Sequence, residues 1–163
     1  MRSVSYITAL ILISILFTFC NKQKKDLENS MLENFLSDFS ESDIITVDEG
    51  LYIIKSGFSS METVESDLPV TGDTIVSIYQ GYLLSDQETI FDEAEYANPQ
   101  RYAFKEDNVI AGWELSMGRM NVDETAKIII HSDYAYKGDQ VGLIPPFSTL
   151  IYEVRILDII KNN

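Results

Sequence analysis

At 163 residues and 18.5 kDa, the chain has room for one domain of ordinary size beyond its apolar N-terminus. Hydrophobic residues make up 45% of it and aromatics 11%, enough apolar surface to offset chain entropy, which excludes a disordered chain. Lys and Arg total 12 against 26 Asp and Glu, and a net charge of -14 repels phosphate backbones, which argues against nucleic acid as a partner.

After Arg2, the run Val4 to Cys20 (VSYITALILISILFTFC) carries no charge and stops at the polar Asn21-Lys22-Gln23-Lys24-Lys25, a secretory signal pattern. Cys20 is the sole cysteine, so neither an intramolecular disulfide nor a cysteine-based metal site is available. A cysteine closing such a run resembles the lipobox of bacterial lipoproteins, and that resemblance implies acylation of Cys20 as the first mature residue. Phe17-Thr18-Phe19 puts a bulky aromatic where a lipobox has a small residue. Left uncleaved, the run is close to the shortest bilayer span, about 17 to 20 residues, and stays as a signal anchor. Both routes tether the chain to a membrane outside the cytoplasm. Residues 1–20 are therefore read as signal or anchor, 21–50 as a linker with an amphipathic helix, and 51–163 as the folded domain.

From Asp26 to Phe39, Leu27, Met31 and Phe35, with Leu32, Leu36 and Phe39 beside them, recur at the helix period. Such a helix packs on the following domain, dimerises, or spaces the domain from the membrane. Ser40 to Gly50 reads as a polar connection, Leu51 to Lys55 as a strand, and Ser56 to Thr71 as a loop. Asp73 to Leu84, Thr125 to His131 and Thr149 to Ile160 alternate apolar and polar residues as strands of an antiparallel sheet do. In the last of these, Leu150, Tyr152, Val154 and Ile156 share a face. Ile110, Trp113, Met117 and Met120 fall along one stripe of a short helix. The expected fold is α+β: a curved antiparallel sheet wrapped around one short helix, preceded by the N-terminal amphipathic helix. Asp86, Glu88, Asp92, Glu93 and Glu95 concentrate acid locally and read as solvated surface.

The chain offers little for covalent or metal chemistry. His131 is the only histidine, in a strand interior with no second histidine or cysteine near, so it reads as structural and no metal or other cofactor is expected. There is no Gly-x-Ser-x-Gly elbow and no His-Glu-x-x-His helix. What stands out is nine Tyr, eight Phe and one Trp.

Their order and spacing resemble a known family. Ser77-Ile78-Tyr79-Gln80-Gly81-Tyr82-Leu83 is similar to a V-H-Y-T-G-x-L strand, and Phe91-Asp92 to the F-D pair after it. Val109-Ile110-Ala111-Gly112-Trp113-Glu114 matches V-I-x-G-W-E, with Met120 at the position of a helix-end methionine. Asp133-Tyr134-Ala135-Tyr136 reproduces D-Y-A-Y, and Ile144 to Val154 follows I-P-P-x-A-T-L-x-F-x-V. These motifs, in this order, are those of the FKBP-type peptidyl-prolyl cis-trans isomerases, and residues 72 to 160 resemble that family along nearly their whole length.

The resemblance implies a substrate, a proline-containing polypeptide, and a set of site residues. Trp113 would form a pocket floor under the proline ring, walled by Tyr79, Phe91, Val109, Ile110 and Tyr152. Tyr136 would donate a hydrogen bond to a substrate carbonyl, and the Ile110 N–H would bind a second. Asp92 would be partly buried and hydrogen-bonded to a tyrosine hydroxyl, that of Tyr79, and Leu143 and Ile144 would lie on a flap over the site.

The chain departs from the family at Gln100, where an aromatic wall residue is frequent, at Lys105 and Asp123, where glycine is usual, and in a shortened flap between Tyr136 and Pro145. Those departures leave open a binding or scaffold module with little turnover. A lipoprotein with a helix before a C-terminal domain of this kind also resembles, in layout, gliding-motility-associated isomerases of Bacteroidetes-type bacteria.

Overall fold

The structure, a computed structural model, describes residues 2–55 and 68–162, with side chains from Leu10 onward. Helix α1 (Arg2–Leu36) joins the apolar N-terminal run and the amphipathic segment into one continuous element. No break falls near Asn21, because residues 21–30 contain neither Pro nor Gly and their polar side chains are tolerated in a helix. The helix expected over Asp26–Phe39 is thus the end of a longer one, closed by a turn in which Phe39 N donates to Leu36 O (3.1 Å).

A 3-10 turn over Glu41–Asp43 leads into β1 (Ile44–Asp48), which pairs antiparallel with β2 (Leu51–Lys55). The polar connection expected over Ser40–Gly50 therefore contains a strand, and the sheet begins at Ile44 inside the segment read as linker. Ile45 and Val47 lean on the core while Thr46 and Asp48 alternate with them, a run too short and too polar to stand out by pattern. Most of the expected 56–71 loop lies outside the described residues. The strands expected in the C-terminal half appear as β3 (Thr74–Leu83), β6 (Thr125–Ile130) and β7 (Leu150–Ile160). Two more, β4 (Asp86–Ala94) and β5 (Gln100–Ala103), were not signalled: β4 is an exposed edge strand poor in apolar residues.

All pairings are antiparallel, in the order β1-β2-β6-β7-β3-β4. β5 pairs with the first half of β3 and β4 with its second half, so the two share one edge. Register shifts at Val76/Ser77 and around Gly81–Leu83 interrupt the ladders of β3, and bulges of this kind bend a sheet.

The middle of the sheet is covered on both sides, which accounts for the unbroken buried runs Ile128–Ile130 and Leu150–Tyr152 in strands that otherwise alternate. One face carries Leu51, Ile53, Ile128, Ile130, Leu150, Tyr152, Val154 and Ile156, packed against helix α2 (Ala111–Met117) through Trp113 and Met117 and, just beyond it, Met120. A Cβ on Gly112 would collide with Ile130 Cγ2, so glycine is what lets α2 lie this close to β6. The other face presents Ile54, Tyr82, Ile129 and Ile151 to Leu32, Met31, Phe35, Leu36 and Phe39 at the end of α1 and the turn after it. Burying a leucine such as Leu32 contributes about 1.5–3 kcal/mol. Among the three roles open to this helix, packing on the domain is therefore the one observed.

Among the residues with described side chains, no helix is long and apolar enough to cross a membrane. The first part of the apolar run, Val4 to Ala9, lies outside them.

Candidate active site

Where the concave face of the sheet meets α2, a cavity of about 530 Å³ opens, lined by Tyr79, Asp92, Gln100, Asn108, Val109, Ile110, Ala111, Trp113, Ala135, Tyr136 and Tyr152. Each side chain arrives on a different piece of the fold. Tyr79 comes from the middle of β3 and Tyr152 from β7, two strands paired so that Gly81 lies opposite Tyr152. Asp92 comes from β4, Gln100 from the start of β5, and Trp113 from the first turn of α2. Ala135 and Tyr136 follow a 3-10 turn over Ser132–Tyr134.

The aromatic cluster is built edge to face. Trp113 meets both Tyr79 and Tyr152 with ring centroids 5.0 Å apart, and Tyr79 meets Tyr152 at 5.6 Å. Each such pair contributes about 0.5–1.5 kcal/mol beyond area burial and fixes the rings' orientation. Phe91 stands behind this cluster, edge-on to Tyr152 at 5.6 Å, and is not a cavity wall. A Cβ at Gly81 would fall 2.8 Å from Tyr152 Cε1 and 2.9 Å from Phe91 Cζ, so that glycine makes room for both rings.

The polar groups are few. Tyr79 donates through its hydroxyl to Asp92 Oδ2 at 2.9 Å, the partner expected from the resemblance. Asp92 itself is exposed, not partly buried, because β4 is an edge strand with its outer side in water. Burial, with the hydrogen bond and negative charge of Asp92 added to it, pushes the Tyr79 phenol well above its ordinary 10.0. Burial does the same at Tyr152 and Tyr136, with Asp92 contributing to each. All three phenols are therefore donors at any physiological pH. Glu114, next to Trp113, is turned away: its Oε1 accepts from Lys105 N at 2.8 Å.

Seven of the expected residues thus line one cavity: Tyr79, Asp92, Val109, Ile110, Trp113, Tyr136 and Tyr152. Leu143 and Ile144 do not. Leu143 is 68% exposed at the tip of a turn in which Val141 and Ile144 bond to each other through their backbones, and Ile144 is turned inward and buried in the core. Gln100, noted in the sequence only as a departure, is a wall residue, and Asn108, Ala111 and Ala135 join it without having been singled out. Among the described residues no cluster of His, Cys, Asp and Glu has the composition of a metal site.

A sheet wrapped on one short helix, with an aromatic cavity between them, defines a class. Residues 65–157 match the FKBP-type peptidyl-prolyl cis-trans isomerase family, and the chain belongs to it. It is 34% identical over 96 residues to the peptidyl-prolyl cis-trans isomerase Fkbp12 of Drosophila melanogaster, covering 58% of this chain and 87% of that one. It is 31% identical over 102 residues to FkpA of Escherichia coli, an FKBP-type peptidyl-prolyl cis-trans isomerase, covering 63% of this chain but only 37% of that protein. The FkpA crystal structure superposes with a TM-score of 0.66 at 23% identity, over 97% of this chain and 70% of that one. A peptidyl-prolyl cis-trans isomerase from Pseudomonas syringae superposes with a TM-score of 0.69 at 20% identity, over 86% of this chain and 96% of the other. The FkpA superposition, spanning 97% of this chain, takes in α1 as part of the shared fold.

Proposed function

We propose that this protein is a peptidyl-prolyl cis-trans isomerase acting on exported or envelope polypeptides. The observation that carries it is the cavity floored by Trp113 between the edges of Tyr79 and Tyr152. Rotating an X-Pro bond breaks amide resonance against a barrier of about 18–20 kcal/mol, and no covalent bond is made or cleaved. An apolar pocket favours that rotation, because the planar amide is the more polar form and loses more on leaving water than the twisted one. In this reading the proline ring lies on Trp113, Tyr136 donates to one substrate carbonyl, and the Ile110 N–H, at the start of α2, receives another. No base, nucleophile or cofactor is required.

Location outside the cytoplasm, tethered by acylated Cys20 or by the uncleaved helix, is part of the same proposal. Its support is that Leu10 to Phe19 show their large apolar side chains to solvent at 52–69% exposure and pack on nothing in the domain. A helix apolar all round needs a covering, and a bilayer is the covering its composition fits. Membrane fractionation of wild type and Cys20→Ser separates the routes: a lipid anchor is lost in the variant, a helical anchor is retained.

The isomerase reading is tested by exchange NMR on a short X-Pro peptide, using the full chain in detergent beside Trp113→Ala and Tyr136→Phe. Acceleration that falls in both variants supports it. A folded wild type without acceleration overturns it and leaves the second reading, a module that binds proline-containing segments with little turnover, for which the polar Gln100 in the cavity wall speaks.

A further inference from the structure

Glu28 is the one carboxylate of α1 that the domain buries, at 4% exposure, in a segment whose sequence reads as linker. Its Oε1 accepts from Ser132 N and from Thr149 Oγ1, each at 2.8 Å, and its Oε2 accepts from Ser132 Oγ at 2.7 Å. His131 Nδ1 accepts from Asp133 N at 3.2 Å, and its Nε2 stands 3.2 Å from Glu28 Oε2. Ser132, Thr149 and His131 are buried as well. Ser132 and Thr149 are the two ends of the long loop between β6 and β7, and that loop carries Ala135 and Tyr136 into the cavity.

The link from Glu28 to the cavity is short. Ser132, held by Glu28 through its N–H and hydroxyl, uses its own carbonyl to accept from Ala135 N (3.0 Å) and Lys137 N (2.9 Å), the residues on either side of Tyr136. Lys137 and Phe147 are bonded to each other across the loop, Phe147 N to Lys137 O at 2.7 Å, and both sit at positive φ, 54° and 58°. A non-glycine residue there costs about 1–2 kcal/mol, so this conformation persists only when its surroundings impose it. Within the loop, backbone bonds to Ser132 and Phe147 are the restraint; Glu28 holds Ser132 itself and, two residues beyond Phe147, Thr149.

We infer that Glu28 is a positioning residue for the isomerase site: from helix α1, its carboxylate clamps both ends of the loop that carries Tyr136. The inference rests on the isomerase reading for its effect on turnover, and on geometry alone for its effect on the loop. Helix α1 is accordingly part of the working site and not only a spacer. Lys25, one turn earlier, adds a bond to Asp133 at 2.7 Å on the exposed side of the same loop.

The test uses the full chain in detergent, with native-state hydrogen exchange and exchange-NMR turnover measured on wild type, Glu28→Ala, Glu28→Gln and Thr149→Val. In Glu28→Ala, the Ala135 and Lys137 amides exchange on the order of tenfold faster while those of Ile128 to Ile130 hold, and kcat falls on the order of tenfold. Glu28→Gln keeps an acceptor for Ser132 N and Thr149 Oγ1 and restores both readouts to within about twofold of wild type. Thr149→Val severs one tie and shows the same local pattern at smaller size, which decides the matter if Glu28→Ala does not fold. Unchanged Ala135 and Lys137 exchange, or a uniform rise through every strand, overturns the clamp and leaves Glu28 a docking residue. If wild type itself does not accelerate isomerisation, the proposed function fails, and the exchange pattern still decides whether Glu28 holds the loop.

Discussion

Trp113, Tyr79 and Tyr152 hold one another edge to face, and Gln100 joins Asp92 and Asn108 as the polar members of an otherwise aromatic and aliphatic wall. If the catalytic effect is desolvation of the amide, a polar side chain there brings water with it and weakens the effect. Gln100→Phe is therefore expected to raise kcat/KM for a short X-Pro peptide by about threefold to tenfold, an apolar contact in a pocket being worth about 1–3 kcal/mol at most. A fall in kcat/KM with an intact fold would mean that Gln100 makes a substrate contact. The two residues standing where glycine is usual have a physical cost that the structure makes visible: Lys105 has φ 61° and Asp123 φ 65°. Asp123 is offset by its bond to Arg155 (2.9 Å), while the Lys105 side chain is exposed beside Phe104. Lys105→Gly should raise stability to urea by about 0.5–1 kcal/mol, and Asp123→Gly should leave it within about 0.5 kcal/mol of wild type. These departures were legible in the sequence, but only as departures; the left-handed backbone that gives them meaning is not.

At the level of elements, the sequence carried the strands with two buried faces and one clear alternation, and missed those at the edges. Leu51–Lys55, short but dense in apolar residues, and the longer Leu150–Ile160 have cross-strand partners on both sides. β1, β4 and β5 are edge strands, half in water, and their residues resemble those of loops. The helix period of Leu32, Phe35 and Leu36 was readable, but not its destination: Ile129 and Ile151, which receive it, lie far away in the chain. Nor was the role of Glu28, since one acid among 26 carries no signal until its partners are seen. The docking has a direct consequence for truncation. A chain beginning at Ser40 would bare Ile54, Tyr82, Ile129 and Ile151 and strand Ser132 N, whereas one beginning at Asn21 keeps the whole contact. Leu32→Ala alone should cost about 2–4 kcal/mol. Urea midpoints of the two truncations and the point variant check this, and equal midpoints for both truncations would show that α1 contributes nothing to the domain.

Over the whole molecule, charge and buried carboxylates oppose each other as pH falls. At neutral pH the net charge of -14 repels itself, and Glu114 adds to the cost because burial raises its pKa above the ordinary 4.5. A carboxyl with a raised folded pKa favours the folded state once it is protonated, so both effects increase stability as pH drops from neutral towards about 5. Asp73 acts in the opposite sense. It accepts from Val70 N at 2.8 Å, Lys161 Nζ at 3.1 Å and Asn162 N at 3.1 Å, and the Val70 hydrogen bond, the largest influence, holds its pKa below the ordinary 3.8. Lys25 does the same for Asp133 through a hydrogen bond, and the Tyr82 hydroxyl lowers Glu153 from 4.5. A group with a lowered folded pKa contributes stability above its unfolded value and loses it as pH falls through the folded one, so these contributions vanish below about pH 4. Stability should therefore rise on acidification, pass through a maximum near pH 5, and collapse below about pH 4. The maximum should move towards neutral pH in high salt, which screens self-repulsion but leaves the hydrogen-bonded Asp73 untouched. Asp73→Asn should flatten the acid limb while sparing the rise above it, and thermal melts from pH 3 to 8 at low and high salt read both limbs; an unaltered acid limb in that variant would remove Asp73 from the account.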